Sequence, residues 1–181
     1  MSLKLKTVLL GDPSLQDGAP PFREVLRSLE DTGVDGIRFV VVGMTGLKPD
    51  ACIAFCDWLT ETRVKAGKKV FAHLQAGVAL PEFFLWLRCG MDGRTMRTTA
   101  KISLELPPWC RFSSVECGQE MIAVAEQNLD WIEMLELVNE YIPLADYEGK
   151  QIGIFELDEF GLLDESFLNL MERKNYGGGK K

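Results

Sequence analysis

The stretch from Ile37 to Val42, rich in apolar and β-branched side chains, sets the strongest constraint on how this chain folds. It reads as a central strand covered on both faces, because a strand open to water on one side alternates with polar residues. Its exit, Gly43 to Asp50, feeds a helix from about Pro49 to Lys65, which Ala66-Gly67 stops before Lys69 to Leu74 returns as a strand. A second unit follows: Pro81 opens a helix through Phe83, Phe84, Leu85 and Leu87 to Cys89-Gly90, and Ala100 to Leu106 reads as the next strand. Repeated β-α-β units predict an α/β fold with a mostly parallel sheet, right-handed crossovers and helices on its faces.

The flanks extend this pattern. Thr7 to Gly11 reads as a first strand, closed by the turn residues Gly11-Asp12-Pro13. Pro21 suits the first turn of a helix whose apolar stripe is Val25, Leu26 and Leu29, ending at Thr32-Gly33. The longest helical segment runs from Gly118 to about Ile142 with no Gly or Pro within it, and Ile152 to Phe155 is a brief extended piece before Glu156 to Phe160. At 181 residues the chain fits one domain, spanning 1–175, with the glycine-rich 176–181 as a flexible tail.

Charge and composition exclude several functions. A net charge of −7, with Lys and Arg scattered, repels phosphate backbones and anionic lipid, so neither nucleic acid nor membrane is expected as a partner. No stretch approaches the roughly 18 apolar residues of a membrane span, and Gly11-Asp12-Pro13 ends the first apolar run before a secretory h-region is complete. Cys52, Cys56, Cys89, Cys110 and Cys117 are odd in number and lack C-x-x-C spacing, which predicts free thiols, a cytoplasmic location and no structural metal. His73 is the only histidine and lies between Ala72 and Leu74 as a packed strand residue, leaving little room for general-base chemistry.

Four segments, in order along nearly the whole chain, resemble the ClpP family of serine peptidases within the ClpP/crotonase superfamily. Val8 to Pro13 resembles the opening strand and its Gly-Asp-Pro turn. Gly46-Leu47-Lys48-Pro49 through Ile53 to Asp57 resembles the stretch where a Gly-Gly pair precedes a helix. Gly93-Arg94-Thr95-Met96 before Ile102-Ser103-Leu104 is similar to the arginine turn leading to the strand of the catalytic histidine. Glu156 to Glu165 is similar to the closing helix and its Gly-Leu-Ile/Val-Asp motif. The resemblance implies a long helix protruding from the domain and an oligomer.

The same resemblance implies that the catalytic triad is missing. The serine position falls on Pro81 or Leu80, the histidine position on Glu105 and the aspartate position near Gly149, beside Glu148. A carboxylate of ordinary basicity cannot replace imidazole in accepting and returning the proton at neutral pH. The oxyanion-forming Gly-Gly pair is half lost, since Leu47 follows Gly46. The chain begins essentially at the first strand, which argues against docking to a family-type ATPase.

What the resemblance implies is therefore a non-catalytic subunit, with no cofactor, that assembles with itself or with an active ClpP-like subunit. On the longest helix, Met121, Ala125, Leu129, Ile132, Leu135 and Val138 form a stripe for the domain's own core. Trp131, Met134, Leu137 and Tyr141 form a second stripe about 100° away, expected to face another subunit or to pack beneath the carboxy-terminal segment. Two alternatives stay open. One is an enzyme of the same fold with different chemistry, an unconventional hydrolase or an acyl-CoA binder using Glu82 and Glu105. The other is a STAS-like regulatory domain with Thr45 as phosphoacceptor, which leaves about the last 75 residues unexplained.

Overall fold

The structure, a computed structural model, describes residues 3–11, 22–43, 48–105 and 128–164. Four strands, β1 (Leu5–Leu10), β2 (Gly36–Val41), β3 (Lys69–Leu74) and β4 (Arg94–Met96), form one parallel sheet in the order β1-β2-β3-β4. Between them lie α1 (Phe22–Glu30), α2 (Pro49–Ala66) and α3 (Leu80–Cys89). Parallel neighbours joined in sequence order by right-handed crossovers put successive helices on one face of the sheet. Burial alternates accordingly. Ile37, Phe39 and Val41 of β2 are buried on the helix side with Val70, Ala72 and Leu74 of β3, whereas Arg38 is exposed and Val40 half-buried.

This corrects the expectation of a central strand covered on both faces. Among the described residues only one face is closed, and Arg38 within the apolar run marks the open side. On the closed side the rings of Phe39 and Phe55 meet edge to face at 5.9 Å, which fixes α2 against β2.

Local chemistry accounts for the helix limits. Pro49 occupies the first turn of α2, where its missing N–H costs nothing. The helix ends at Gly67, whose φ of 63° is a left-handed cap; Gly67 N–H donates to Val64 O at 3.3 Å and Lys68 N–H to Arg63 O at 3.3 Å. Pro81 sits in the first turn of α3, and the helix buries all but Pro81 and Arg88 of its residues. In α1, Val25 and Leu29 face the core as expected, but Leu26 is 39% exposed.

Two further corrections follow from β4. The second β-α-β unit closes on Arg94–Met96, which had read as a turn, and not on Ala100 to Leu106. From that later segment, β5 (Ile102–Ser103) pairs antiparallel with β6 (Gln151–Ile152) in a separate small sheet. Val78 bridges β5 on its other side: its N–H donates to Lys101 O at 3.0 Å and its carbonyl accepts from Ser103 N–H at 2.9 Å.

Within the expected long helix, the described part is α4 (Leu129–Asn139), followed by α5 (Leu144–Tyr147) and α6 (Ile154–Glu159). α4 does not stand off the domain; it packs on α2 and α3. The division into two stripes is also redrawn. Met134, assigned to a subunit contact, is fully buried in its own chain with Val138 and Ile142. Leu129, assigned to the core, is 62% exposed. Trp131, Leu135 and Leu137 are half-buried against the core, and Tyr141 is exposed. Met121, Ala125 and the 176–181 tail lie outside the described residues.

Candidate functional site

β3 leaves the sheet through Gln75 to Ala79, and α3 begins at once with Ala79 as its extended N-cap. The pairing of Val78 with β5 draws this entry against a second segment, Lys101 to Glu105. Along a strand alternate side chains share a face, so Lys101, Ser103 and Glu105 line up on one side. Gln151 stands opposite Ser103 in the register of β5 with β6. Together with Gly77 and Ala79 these residues line a cleft of about 360 Å³.

Of the positions assigned to a triad by resemblance, Glu105 alone is in the lining of this cleft. Leu80 is buried and Pro81 half-buried at the start of α3, while Glu105 lines the cleft and is exposed. Gly149 N–H donates to Leu104 O at 3.1 Å, and Leu104 N–H to Lys150 O at 3.4 Å, placing Gly149 beside the segment that carries Glu105. Gly149 is exposed with a φ of 69°, a conformation that favours glycine. Gly46 and Leu47 of the oxyanion loop, and Thr45, lie outside the described residues.

His73 does not line the cleft. It sits on the less covered face of β3, half-buried, with Nδ1 2.9 Å from the Thr95 hydroxyl and Nε2 3.0 Å from Gln75 Oε1. An amide oxygen only accepts, so Nε2 carries the proton and Nδ1 accepts from Thr95. Burial lowers the imidazole pKa below its usual value; the Gln75 bond opposes this and Arg38 reinforces it. Burial therefore favours the neutral ring, and the Thr95 and Gln75 bonds fix its orientation.

Of the two carboxylates considered as an acid–base pair, only one lines the cleft. Glu105 lines the cleft, whereas Glu82 is 2% exposed in the interior, where its charge adds to the upward shift that burial imposes on the Cys52 thiol. Burial likewise pushes Cys89 well up, with Cys56 as a hydrogen-bonding neighbour. Thiols so held are inert packing groups rather than nucleophiles. No cluster of His, Cys, Asp and Glu among the described residues has a metal-binding arrangement, and no helix there is long and apolar enough to cross a membrane.

Beneath the cleft, Gly153 N–H donates to Glu156 Oε2 at 2.9 Å at the start of α6. Backbone bonds from Glu156 and Gly153 hold this carboxyl below its ordinary range, and Lys101 adds to the effect. Lys101, Ser103 and Gln151 were not singled out in the sequence. Only the alternation of polar residues 101, 103 and 105 hinted that they share a face. No protein family matches the chain in a scan of family profiles, and no curated protein matches it in sequence.

Proposed function

We propose that this chain is a ClpP-like subunit of the ClpP/crotonase fold without serine-peptidase chemistry, kept for assembly with itself or with an active ClpP-like subunit in the cytoplasm. The observation that carries the reading is the content of the cleft at the start of α3. The chain has one histidine, which is engaged with Thr95 and Gln75 away from that cleft. Leu80 and Pro81 supply no nucleophile, Gly149 no side chain, and Glu105 a carboxylate in place of imidazole. Ser103 is present, but a serine hydroxyl is a weak nucleophile without an adjacent base of suitable pKa.

The parallel sheet with its helices on one face and free cysteines at 52, 56 and 89 support the fold and the compartment. Half-buried Trp131 and Leu137, with Tyr141 exposed beyond them, support an assembly surface; Met134 is no longer part of it. Asp130, Glu133, Glu136 and Glu140 are all exposed on α4 or at its end, so two such helices meeting face to face would repel. The contact is then between unlike surfaces, as in ring-forming assemblies. Incubation with a fluorophosphonate probe tests the chemistry: the chain stays unlabelled, and stoichiometric labelling of Ser103 or any other serine overturns the reading.

A further inference from the structure

A second cavity, of about 290 Å³, lies on the helix side of the sheet where the end of α3 meets β4 and the end of α4. Arg88, Arg94 and Tyr141 are its polar lining, and Thr60, Leu87 and Met91 supply a mostly apolar wall. Arg94 is half-buried, and its path is built in. Its stem crosses Gly90, where a Cβ would overlap Cγ and lie 3.0 Å from Cδ. Its guanidinium sits 6.0 Å from the Trp86 ring centroid, and one nitrogen donates to Leu87 O at 3.2 Å.

The cavity is rich in positive charge and poor in negative charge. Among the described residues, ion pairs join Arg63 to Asp92 and Arg88 to Asp57, and none reaches Arg94. The Arg88 contact is long, 3.9 Å, to a carboxylate that is 63% exposed. The half-buried Arg94 guanidinium carries five donors, and the Leu87 carbonyl takes one of them. Arginine forks match the oxygens of phosphate and carboxylate in pairs, and a tyrosine hydroxyl adds a neutral donor.

We propose that this cavity binds the oxyanion group, phosphate or carboxylate, of a small molecule whose apolar part lies against Leu87 and Met91. Arg94 grips the oxyanion from below, Arg88 closes over it from the helix end, and the Tyr141 hydroxyl donates at the rim. The site is separate from the cleft at the start of α3 and does not depend on any peptidase ancestry.

Isothermal titration at fixed ionic strength with phenyl phosphate and with benzoate tests it. The wild type binds at least one of the two with one-to-one stoichiometry, and Arg88→Gln and Arg94→Lys each weaken that binding roughly tenfold or more. Which probe binds identifies the oxyanion. Absence of saturable heat with both probes overturns the proposal, as does wild-type affinity in Arg88→Gln. Arg88 is a half-exposed helix residue, so that variant decides the matter even if Arg94→Lys fails to fold by circular dichroism.

Discussion

Gly149 N–H donates to the carbonyl of Leu104 across 3.1 Å, so the stretch before β6 is stitched to the segment that carries Glu105. Gly149 and Glu105 are thereby brought close through the backbone, and Glu105 shares its cleft with Ala79, the N-cap of α3.

Adding a hydroxyl at the start of α3 creates no peptidase activity. Pro81→Ser supplies a hydroxyl at the first turn of α3, but His73 remains bound to Thr95 and Gln75 and no imidazole reaches it. Triad members act as a unit. Peptide cleavage by Pro81→Ser stays at the level of the unaltered chain; a measurable gain reveals a base already in place.

Asp92 is worth more to the fold than its surface position suggests. Its Oδ2 accepts from Val70 N–H at 2.7 Å and also pairs with Arg63, so one carboxylate ties β3 to the end of α2. Asp92→Ala removes the partner of a strand amide and costs about 1–3 kcal/mol. Arg63→Ala removes only a partly exposed pairing and costs about 1 kcal/mol or less. Urea unfolding of both variants checks the order, and equal losses contradict it.

How far the sequence revealed this fold depended on length and periodicity. Lys69–Leu74 was delimited as observed and α2 within a residue, because Pro49 and Gly67 punctuate a helix between apolar runs. β4 was missed because Arg94-Thr95-Met96 is too short to show a period, and parallel pairing with β3 is what makes it a strand. The stripes of α4 were misdivided because helical positions 100° apart can both touch a core when the helix lies in a groove, here between α2 and α3. Lys101, Ser103 and Gln151 lie in or beside strands of two residues, where alternation is too brief to give more than a hint that 101, 103 and 105 share a face.

Acid weakens the fold through His73. Burial lowers its pKa in the folded state below the ordinary 6.5, so the unfolded chain binds the proton more readily. The stabilisation is full above the unfolded value and is lost as pH falls from about 6.5 towards the lower folded value. Denaturant midpoints measured from pH 7.5 down to about 5.5, above the range of ordinary carboxylates, decline more in the wild type than in His73→Gln. Equal declines show that another group titrates.

Gly11 tolerates no side chain. Its φ is 83°, and an added Cβ would lie 2.5 Å from the carbonyl oxygen of Gly43 and 3.1 Å from its carbon. Gly11→Ala forces the ends of β1 and β2 apart and costs at least about 1–3 kcal/mol. A thermal midpoint unchanged from the wild type contradicts the close approach of these two loops.

Assembly is the central claim, and mass in solution measures it most directly. If Trp131 and Leu137 lose their remaining exposure against another subunit, each large apolar side chain contributes up to roughly 1.5–3 kcal/mol, with the aromatic the stronger anchor. Light scattering at micromolar concentration gives a mass above that of one 20.3 kDa chain for the wild type, and a monomer with native circular dichroism for Trp131→Asp. A wild type that is monomeric throughout, or a folded Trp131→Asp that keeps the wild-type mass, contradicts the account.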